Sequence, residues 1–401
     1  MSTTRKTPKL RFPEFTDDWE QRKFGDMTIR ESKTGESSKN LPCVEYEDVV
    51  CDNGVLNKDL SLKDAIKKGI LFDGSQVLYG KLRPYLHNWL LPDFKGVAVG
   101  DWWVLRPKGV DKKFIYRLIQ TQQFDDVTNL SSGSKMPRAD WKLVSNTEFA
   151  IPCSTEEQMK IGLYFEHLDN LITLHQRELD SLKKLKKSLL QKMFPKNGEK
   201  IPELRFPEFT GDWEQRKLFD IADFKSGQGL SLSDISKEGT QECILYGNLY
   251  TDYGMIITSV LKSTNAIPSN PVYSKNGDVL VPASDTTPTG LARASCLEKS
   301  GVLLGGDINI IRPRQGINGS CLSLAINHNK RQLIRLIKGT TVKHIHNSDL
   351  STVVVALPKN LDEQREIVNT FKNLDNLITL HQRELDSLKK LKKGLLQNMF
   401  V

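Results

Sequence analysis

A long segment occurs twice in this chain almost unchanged. Residues 168–194 read LDNLITLHQRELDSLKKLKKSLLQKMF, and residues 374–400 differ from them at two positions. A second motif, LRFPEFTDDWEQRK from Leu10, returns from Leu204 with one change. A period of about 200 residues is far too long for a solenoid repeat, so each repeated unit is expected to be a whole domain followed by a helix.

The stretches between the copies have diverged but keep landmarks in register. Arg106-Pro107 recurs as Arg312-Pro313 at the end of a short β-prone run in each half. Further matched pairs are Gly133 with Gly339, Tyr46 with Tyr246, and Gly54 with Gly254. The pattern predicts two domains that share one fold and carry different surfaces.

The copied segment at the end of each half predicts a long helix. Ser154 or Thr155 precedes Glu156-Glu157-Gln158, which is a capping-box pattern, and Asn360 precedes Asp362-Glu363-Gln364. Apolar residues then recur at alternating spacings of three and four, which is typical of a heptad seam. About 38 residues at 1.5 Å rise each would form a rod of roughly 57 Å.

The seam residues are expected to pair the two helices in an antiparallel coiled coil. The predicted seam and partner positions are Leu168, Ile172, His175, Leu179, Leu182, Leu374, Ile378, His381, Leu385 and Leu388. Lys186 and Lys392 also fall on the seam. Polar residues there either fix the register of the pairing or extend their charged ends to solvent at its edge, and the sequence leaves both interpretations open.

The predicted fold class is α+β, with two homologous mixed α/β domains joined by the two long helices around a pseudo-twofold axis. The expected spans are residues 1–153 for the first globular domain, 154–203 for the first helix and its linker, 204–358 for the second globular domain, and 359–401 for the second helix. A length of 401 residues and a hydrophobic content of 38% are sufficient for two cores.

Composition narrows the functional class. The formal net charge of +8 is consistent with a polyanionic partner. No apolar run approaches the ~18 residues of a membrane span, and the N-terminus lacks a signal-peptide core, so a cytoplasmic location is expected. The six cysteines are scattered without a C-x-x-C pair, which predicts reduced thiols. The sequence contains no phosphate-binding loop, H-E-x-x-H motif or G-x-S-x-G elbow.

Two loops at matching places, residues 131–141 and 338–350, combine a glycine, small hydroxyls and basic residues. These groups contact phosphates and base edges in nucleic-acid complexes. A second pair of segments, 79–87 and 282–293, is basic and aromatic in the first half but nearly uncharged in the second. The candidate DNA-binding residues are Lys81, Arg83, Tyr85, Ser134, Lys135, Arg138, Ser284, Thr286, Arg293, Thr340, Thr341, Lys343, His344 and His346. Solvated polar loops and ordinary surface drift are the competing interpretations.

The chain closely resembles the specificity subunit of type I restriction-modification systems. The order of domains, the E-E-Q or D-E-Q helix starts with L-D-x-L-I, and the glycine–hydroxyl–aspartate loop ahead of each helix carry the resemblance over essentially the whole chain. The resemblance implies that each domain reads one half of a bipartite site in double-stranded DNA, and that the helices form a spacer and dock.

The same resemblance implies the partners. Two methyltransferase subunits would dock on the helices and bring motor-nuclease subunits, while this chain would hold no catalytic residues, metal or cofactor. S-adenosylmethionine, ATP and magnesium are then expected in the partner subunits, and the complex is expected to be bacterial, cytoplasmic and DNA-associated. The alternatives are a stand-alone DNA methyltransferase or nuclease with its own recognition domains, and a coiled-coil adaptor without a DNA role.

Overall fold

The computed structural model describes residues 7–63, 65–130, 136–196 and 198–401. These residues form two compact units. Unit 1 combines the chain up to Arg177 with Gln382–Val401, and unit 2 is Glu178–His381. Both boundaries fall inside the long helices, so each helix contributes one segment to each unit. The domain spans expected from the sequence stay a prediction.

Unit 1 consists of small, mostly antiparallel sheets covered by short helices. Its strands are β1 Glu20–Lys23, β2 Thr28–Glu31, β3 Thr34–Glu36, β4 Cys43–Val44, β5 Val49–Val50, β6 Val55–Leu56, β7 Lys68–Phe72, β8 Val77–Gly80, β9 Trp89–Leu90, β10 Gly96–Ala98, β11 Trp102–Pro107 and β12 Glu148–Ile151. Its short helices are α1 Phe24–Met27, α2 Lys112–Leu118, α3 Gln122–Asn129 and α4 Trp141–Asn146, with 3-10 turns at Tyr46–Asp48, Leu60–Leu62 and Pro84–Leu86. The strand orders are β2-β11-β8-β9 and β3-β7-β10-β4. β11 is buried along Trp102–Leu105 because both of its faces are covered by core side chains.

Unit 2 repeats this plan. Its strands are β13 Glu214–Lys217, β14 Ala222–Ser226, β15 Gln241–Ile244, β16 Ile256–Ile257, β17 Lys262–Thr264, β18 Asp278–Pro282, β19 Ser284–Asp285, β20 Ser295–Leu297, β21 Leu303–Leu304, β22 Ile308–Pro313, β23 Lys343–His344 and β24 Val354–Leu357. Its short helices are α6 Leu218–Ile221, α7 Asn248–Thr251, α8 Pro288–Leu291, α9 Gly319–His328, α10 Lys330–Leu336 and α11 Asn347–Leu350, with a 3-10 turn at Leu232–Asp234. The strand orders are β14-β22-β18-β20-β16 and β17-β15-β21. β22 corresponds to β11, and both strands end in Arg-Pro.

The two long helices have the predicted length. The first is α5, Thr155–Lys192, and the second is α12, Leu361–Asn398; each has 38 residues. Ser154 Oγ accepts a hydrogen bond from the Glu157 amide at 3.4 Å, and Asn360 Oδ1 accepts from the Asp362 amide at 2.7 Å. Both helices therefore begin at the side-chain caps that the sequence predicts.

The capping-box prediction for Glu157 is wrong in its second half. The Glu157 side chain does not return to Ser154, because it accepts two hydrogen bonds from the Arg11 guanidinium at 2.6 and 2.7 Å. It also accepts one from Trp19 Nε1 at 3.3 Å and is only 1% exposed. The carboxylate thus ties the duplicated upstream motif to the start of α5.

Unit 2 contains the same arrangement. Glu363 accepts two hydrogen bonds from Arg205 at 2.7 and 2.9 Å and one from Trp213 Nε1 at 3.1 Å. We call each set of three residues the Arg–Glu–Trp clamp. Charged, two-pronged hydrogen bonds of this kind are shorter and stronger than neutral ones, and both clamps lie at a helix N-terminus, where a carboxylate is favoured.

The glutamine after each clamp glutamate joins the long helix to the helix that follows the Arg-Pro strand. Gln158 accepts a hydrogen bond from the Asp111 amide at 2.9 Å and donates to the Pro152 carbonyl at 2.8 Å. Gln364 makes the same contacts with Asn318 at 2.7 Å and Pro358 at 2.9 Å. The E-Q pair in the copied motif therefore fixes the start of the long helix against its own globular part.

Within each unit, the two helical segments run antiparallel. In unit 1, Asp169 pairs with Lys392 at 2.6 Å and His175 contacts Glu384 at 3.4 Å. In unit 2, Asp375 pairs with Lys186, and His381 contacts Glu178 at 3.4 Å. The side chains of Leu168, Leu179, Leu374 and Leu385 are buried, and those of Ile172, Leu182, Ile378 and Leu388 are half-buried.

The seam lysines are held inside the pairing rather than extended to solvent. The side chains of Lys392 and Lys186 are 14% and 18% exposed, and each contacts a carboxylate on the other helix. Burial lowers the pKa of Lys392, although its contact with Asp169 opposes that shift. Of the two interpretations of the sequence, the structure favours fixing of the register.

The ends of the long helices meet the upstream motifs in the same way. The Leu10 amide donates to the Asn398 carbonyl at 2.8 Å in unit 1, and the Leu204 amide donates to the Lys192 carbonyl at 2.9 Å in unit 2. Phe400 packs edge-on against Trp19, and Phe194 packs edge-on against Trp213. The first motif thus contacts a helix end that is remote in sequence, whereas the second contacts one only a few residues before it.

The predicted fold class, two homologous mixed domains with two long helices packed antiparallel, is confirmed. Cys43, Cys243, Cys296 and Cys321 are buried, Cys51 and Cys153 are exposed, and all are free thiols. Across the part of the chain that the structure describes, no helix combines the length and apolarity that crossing a membrane requires.

The clamp predicts a large loss of stability from a small substitution. Glu157→Gln leaves the buried end of Arg11 without its counter-charge, and Glu363→Gln does the same to Arg205. Each variant should lower the free energy of unfolding by about 3–5 kcal/mol, the usual cost of removing one partner of a buried ion pair. Urea unfolding followed by circular dichroism measures the change. The matched control is Glu156→Gln, since Glu156 is exposed and should change stability by less than about 0.5 kcal/mol. Equal stability of the Glu157 and Glu156 variants would show that the clamp is dispensable.

Candidate nucleic-acid interface

In unit 1, two segments that are distant in sequence form one surface. The Lys81 amide donates to the Asp101 carbonyl at 2.9 Å, and the Ala139 amide donates to the Lys81 carbonyl at 2.8 Å. The Arg83 amide donates to the Pro137 carbonyl at 2.7 Å. These bonds place residues 81–87 beside residues 136–139, and we call the two segments together the first loop surface.

The first loop surface is cationic around one carboxylate. Arg138 donates to both carboxylate oxygens of Asp101 at 3.3 and 3.2 Å, and Lys81 Nζ lies 3.5 Å from the same group. Burial opposes ionisation of Asp101, but the two cations outweigh it and hold the pKa of the carboxyl below its ordinary value. Asp101 is therefore charged at neutral pH and orients both cations. Tyr85 is 53% exposed beside them.

A half-buried tyrosine supports this surface from below. Tyr46 Oη accepts from the Leu82 amide at 2.8 Å and donates to the Leu82 carbonyl at 3.1 Å. Its ring packs against Trp102, with centroids 4.8 Å apart. Burial raises the pKa of Tyr46 well above its ordinary value, so the hydroxyl keeps its proton. Because Tyr46 satisfies both main-chain groups of Leu82, it fixes the path of the loop that carries Arg83, whose φ of 48° lies in the left-handed region.

Unit 2 uses the same backbone framework. The Ala283 amide donates to the Asp307 carbonyl at 2.8 Å, and the Ile345 amide donates to the Ala283 carbonyl at 3.1 Å. Strands β19 and β23 pair so that Ser284 lies opposite His344. Residues 283–287 and 343–346 therefore correspond to the two segments in unit 1, and we call them the second loop surface.

The side chains on the second loop surface differ in kind. Ser284 Oγ and His344 Nδ1 lie 2.9 Å apart, within hydrogen-bonding distance. The His344 and His346 rings are parallel, with centroids 6.2 Å apart. Thr286 is held by the Asp285 carboxylate, which accepts from its amide at 2.6 Å. The second loop surface thus carries hydroxyls and imidazoles, whereas the first carries Lys, Arg and Tyr.

The remaining candidate residues lie elsewhere or outside the described residues. Thr340 and Thr341 are exposed in the turn that leads to Lys343, whose ammonium donates to the Gly339 carbonyl at 2.6 Å. Arg293 donates to the Leu249 carbonyl, lies 5.6 Å from the centre of the Tyr250 ring, and lines a cavity beside α5. Its contacts are thus with Leu249 and Tyr250 and not with Ser284 or His344. Ser134 and Lys135 belong to residues 131–135, which lie outside the described part of the chain.

Sequence matching missed the second supporting tyrosine. Tyr46 and Tyr246 do occupy equivalent places, because Asp48 and Asn248 each cap a turn there by accepting from an amide at 2.7 and 2.9 Å. The supporting hydroxyl in unit 2 nevertheless belongs to Tyr250, which donates to the main chain of the second loop surface at 2.7 Å, while Tyr246 is 41% exposed. Replacement of the 3-10 turn in unit 1 by a helical turn in unit 2 moves this role one turn along the chain.

This difference predicts which hydroxyls are structural. Tyr46→Phe leaves the Leu82 amide of this half-buried residue without its hydrogen-bond acceptor and should cost about 1–3 kcal/mol of stability. Tyr250→Phe should cost about 1 kcal/mol, whereas Tyr246→Phe should stay within about 0.5 kcal/mol of the wild type. Denaturant unfolding measures the stability, and amide hydrogen exchange should show faster exchange at residues 81–87 or 343–346. If Tyr246→Phe were as damaging as Tyr250→Phe, the assignment of the supporting role to Tyr250 would fail.

The sequence is similar to type I restriction specificity proteins. The family model for the type I restriction modification DNA specificity domain matches residues 16–184 and 210–390. The specificity subunit of the type I restriction enzyme MjaVIII from Methanocaldococcus jannaschii is 25% identical over 279 residues, which are 66% of this chain and 64% of that protein. The match thus spans slightly less than two thirds of that relative's length.

Solved structures share the fold. The S subunit of a type I restriction-modification system from M. genitalium gives a TM-score of 0.63 at 14% identity, with 98% of this chain and 99% of that chain covered. A chain from a structure concerned with complex assembly and conformational transition of the type I R-M system gives 0.55 at 18% identity, with 94% and 96% covered. Since the two family matches account for most of the sequence and each coincides with one globular part and its helix, the chain belongs to the type I restriction-modification specificity subunit family.

Proposed function

We propose that this chain is the DNA sequence-recognition subunit of a type I restriction-modification complex and is not itself catalytic. The observation that carries the proposal is that the two loop surfaces have the same backbone framework but different side chains. Family membership supplies the class of function. Two readers on one scaffold are suited to a bipartite site, with one half-site read by each surface and an unspecified spacer between them.

The chemistry of the two surfaces suits different base sequences. Lys81, Arg83 and Arg138 present cationic donors, and Arg or Lys pairs best with the O6 and N7 acceptors of guanine. Ser284 and His344 present a hydroxyl and an imidazole, which both donate and accept hydrogen bonds. Asp101 neutralises part of the charge on the first surface, so a contact there depends on geometry as well as on attraction to phosphate.

Substitutions on one loop surface should alter one half-site only. Arg83→Gln with Arg138→Gln should relax the half-site read by unit 1, and Ser284→Ala with His344→Gln should relax the other, because each well-placed base contact is worth about 1–3 kcal/mol of discrimination. Genome-wide mapping of methylated adenine, with the cognate methyltransferase co-expressed, measures both half-sites at once.

The matched controls for this experiment are Lys95→Gln in unit 1 and Lys262→Gln in unit 2, which remove exposed charges outside the loop surfaces. Both should leave the methylated sequence unchanged. A loop variant that changed both half-sites, or neither, would contradict the assignment of one half-site to each unit. Absence of any methylated bipartite motif with the wild-type chain would contradict the proposed function itself.

The copied helices carry equivalent candidate docks for two copies of one partner. Leu171, Leu174 and Leu391 are exposed in unit 1. Leu377, Leu380 and Leu185 are exposed at the matching positions of unit 2. Isolated exposed leucines are ordinary, but the same three positions recur in both units on segments that have stayed nearly identical. We place one methyltransferase subunit on each set.

Under this proposal the partners supply the chemistry. The methyltransferase subunits bring S-adenosylmethionine, and motor-nuclease subunits that bind through them bring ATP and magnesium. Near-identity of the two docks is expected if they bind the same protein, since each change would have to suit the same partner surface. Divergence of the loop surfaces is equally expected, since each reads its own half-site.

Charge introduced at one dock should remove one methyltransferase copy. Leu171→Glu with Leu174→Glu should reduce the complex from two methyltransferase subunits to one, and adding Leu377→Glu with Leu380→Glu should remove both. Native mass spectrometry of the co-purified complex counts the copies. The controls Asn170→Glu and Asn376→Glu each add one negative charge at an exposed position next to a dock and should keep both copies. Retention of two copies by the fourfold leucine variant would contradict the placement of the docks.

A further inference from the structure

Unit 2 contains a cationic depression between α5 and α10. Two adjoining cavities of about 370 and 960 Å³ share Lys187, Leu190, Asn327 and Lys330 in their linings. Further basic residues line one cavity or the other. The basic members that matter here are Lys183, Lys187, Arg293, Lys330, Arg331 and Arg335, and we call them together the basic trough.

The charge in the trough is not balanced by neighbouring carboxylates. Among the residues that the structure describes, no carboxylate lies within 4.0 Å of the side-chain nitrogens of Lys183, Lys187, Lys330, Arg331 or Arg335. Asp375, which lies in the same lining, is already paired with Lys186. Partial burial, together with repulsion from Arg293, lowers the pKa of Lys330. These cations therefore repel one another.

The repulsion also acts along each helix. Lys183 and Lys187 are four residues apart on α5, as are Arg331 and Arg335 on α10. Like charges at this spacing are neighbours on a helix surface and destabilise the helix. Two such pairs border the same depression, so an anion bound there would relieve both.

The corresponding place in unit 1 is organised differently. A cavity of about 510 Å³ is lined by Lys389, Lys392 and Lys393 from the copied helix, but also by Asp52, Asp125 and Asp169. His87 lies between two of these carboxylates, 2.6 Å from Asp52 and 3.0 Å from Asp125. The globular part thus adds carboxylates to the cavity beside the copied lysines in unit 1, whereas in unit 2 it adds further cations.

We infer that the basic trough of unit 2 binds the phosphate backbone of duplex DNA, without reading its sequence. The inference rests on the proposed function and adds a second, asymmetric contact to it. Charge complementarity favours a polymeric anion, because the cations form two rows, each extending about 6 Å along its helix, rather than one convergent cluster. Duplex DNA offers one negative charge per about 1.7 Å of its axis and so matches an extended row.

The salt dependence of binding to random duplex DNA tests the inference. Each phosphate contact contributes a slope of about −0.9 to the logarithm of the association constant against the logarithm of salt concentration. Lys330→Gln, Arg331→Gln and Arg335→Gln combined in the full chain should therefore make that slope shallower by about 2–3. Fluorescence anisotropy with a labelled random duplex between 50 and 200 mM salt measures it.

The control variant removes three exposed lysines of unit 2 outside the trough, Lys237, Lys262 and Lys275, and should keep the wild-type slope. If the control lost as much slope as the trough variant, binding would follow net charge and the inference would be overturned. An unchanged slope in the trough variant would also overturn the inference. This holds even if that variant lost binding to an acidic protein, because the trough would then bind protein and not DNA. A wild-type chain with no duplex binding at 50 mM salt would also refute it.

Two further measurements distinguish failure of this inference from misfolding of the variant and from failure of the proposed function. Circular dichroism melting shows whether the triple variant folds; if it does not, Arg331→Gln and Arg335→Gln taken singly should each change the slope by about 0.9. Mapping of methylated adenine should show unchanged half-sites in the trough variants, because phosphate contacts carry no sequence information directly. Altered half-sites would place the trough in base reading and overturn the inference, whereas the loop-surface variants test the proposed function independently.

Discussion

The Arg–Glu–Trp clamp is the contact on which the remaining geometry depends. In each unit a buried carboxylate at the start of a 38-residue helix receives two hydrogen bonds from an arginine and one from a tryptophan of the upstream motif. Because the next residue is a glutamine that bonds to the start of α2 or α9, the clamp joins the upstream motif, the long helix and the globular core at one point. A charge this deeply buried is tolerated only with its partners in place, so the contact specifies one geometry.

That geometry separates the frame of the protein from its variable surfaces. Residues that are identical in the two halves make the clamps and the cross-helix pairs of Asp169 with Lys392 and Asp375 with Lys186, and the ends of the two long helices hold Leu10 and Leu204. The diverged residues make the loop surfaces and the part of the cavity linings that the globular parts contribute. The frame therefore sets where the loops lie, while their side chains can change without altering the clamps.

Much of the fold was predictable because helix periodicity and strand patterns are local. The caps at Ser154 and Asn360 and the Arg-Pro strand ends follow from short-range rules, and the structure confirms them. The partners of Glu157 were not predictable, because Arg11 and Trp19 lie 146 and 138 residues away in sequence. In addition, a glutamate at the third helical position has a local partner available in a capping box. Tyr250 was missed for a related reason. Matching the two halves by position pairs Tyr46 with Tyr246, but the hydroxyl that bonds to the main chain of the second loop surface is that of Tyr250.

By itself, the sequence determined that two related domains alternate with two nearly identical amphipathic helices, since duplication and heptad spacing are visible in the order of residues. It also singled out candidate residues in the two pairs of segments that the structure brings together. Only the tertiary structure decided that residues 81–87 lie against 136–139 and that 283–287 lie against 343–346. It also decided that Arg293 contacts Leu249 and Tyr250. The cavity beside the copied lysines is lined by Asp52 and Asp125 in unit 1 but by Arg293 and Lys330 in unit 2. The physical reason is that these outcomes depend on which side chains meet across long sequence separations, and a charge has a functional meaning only once its neighbours are known.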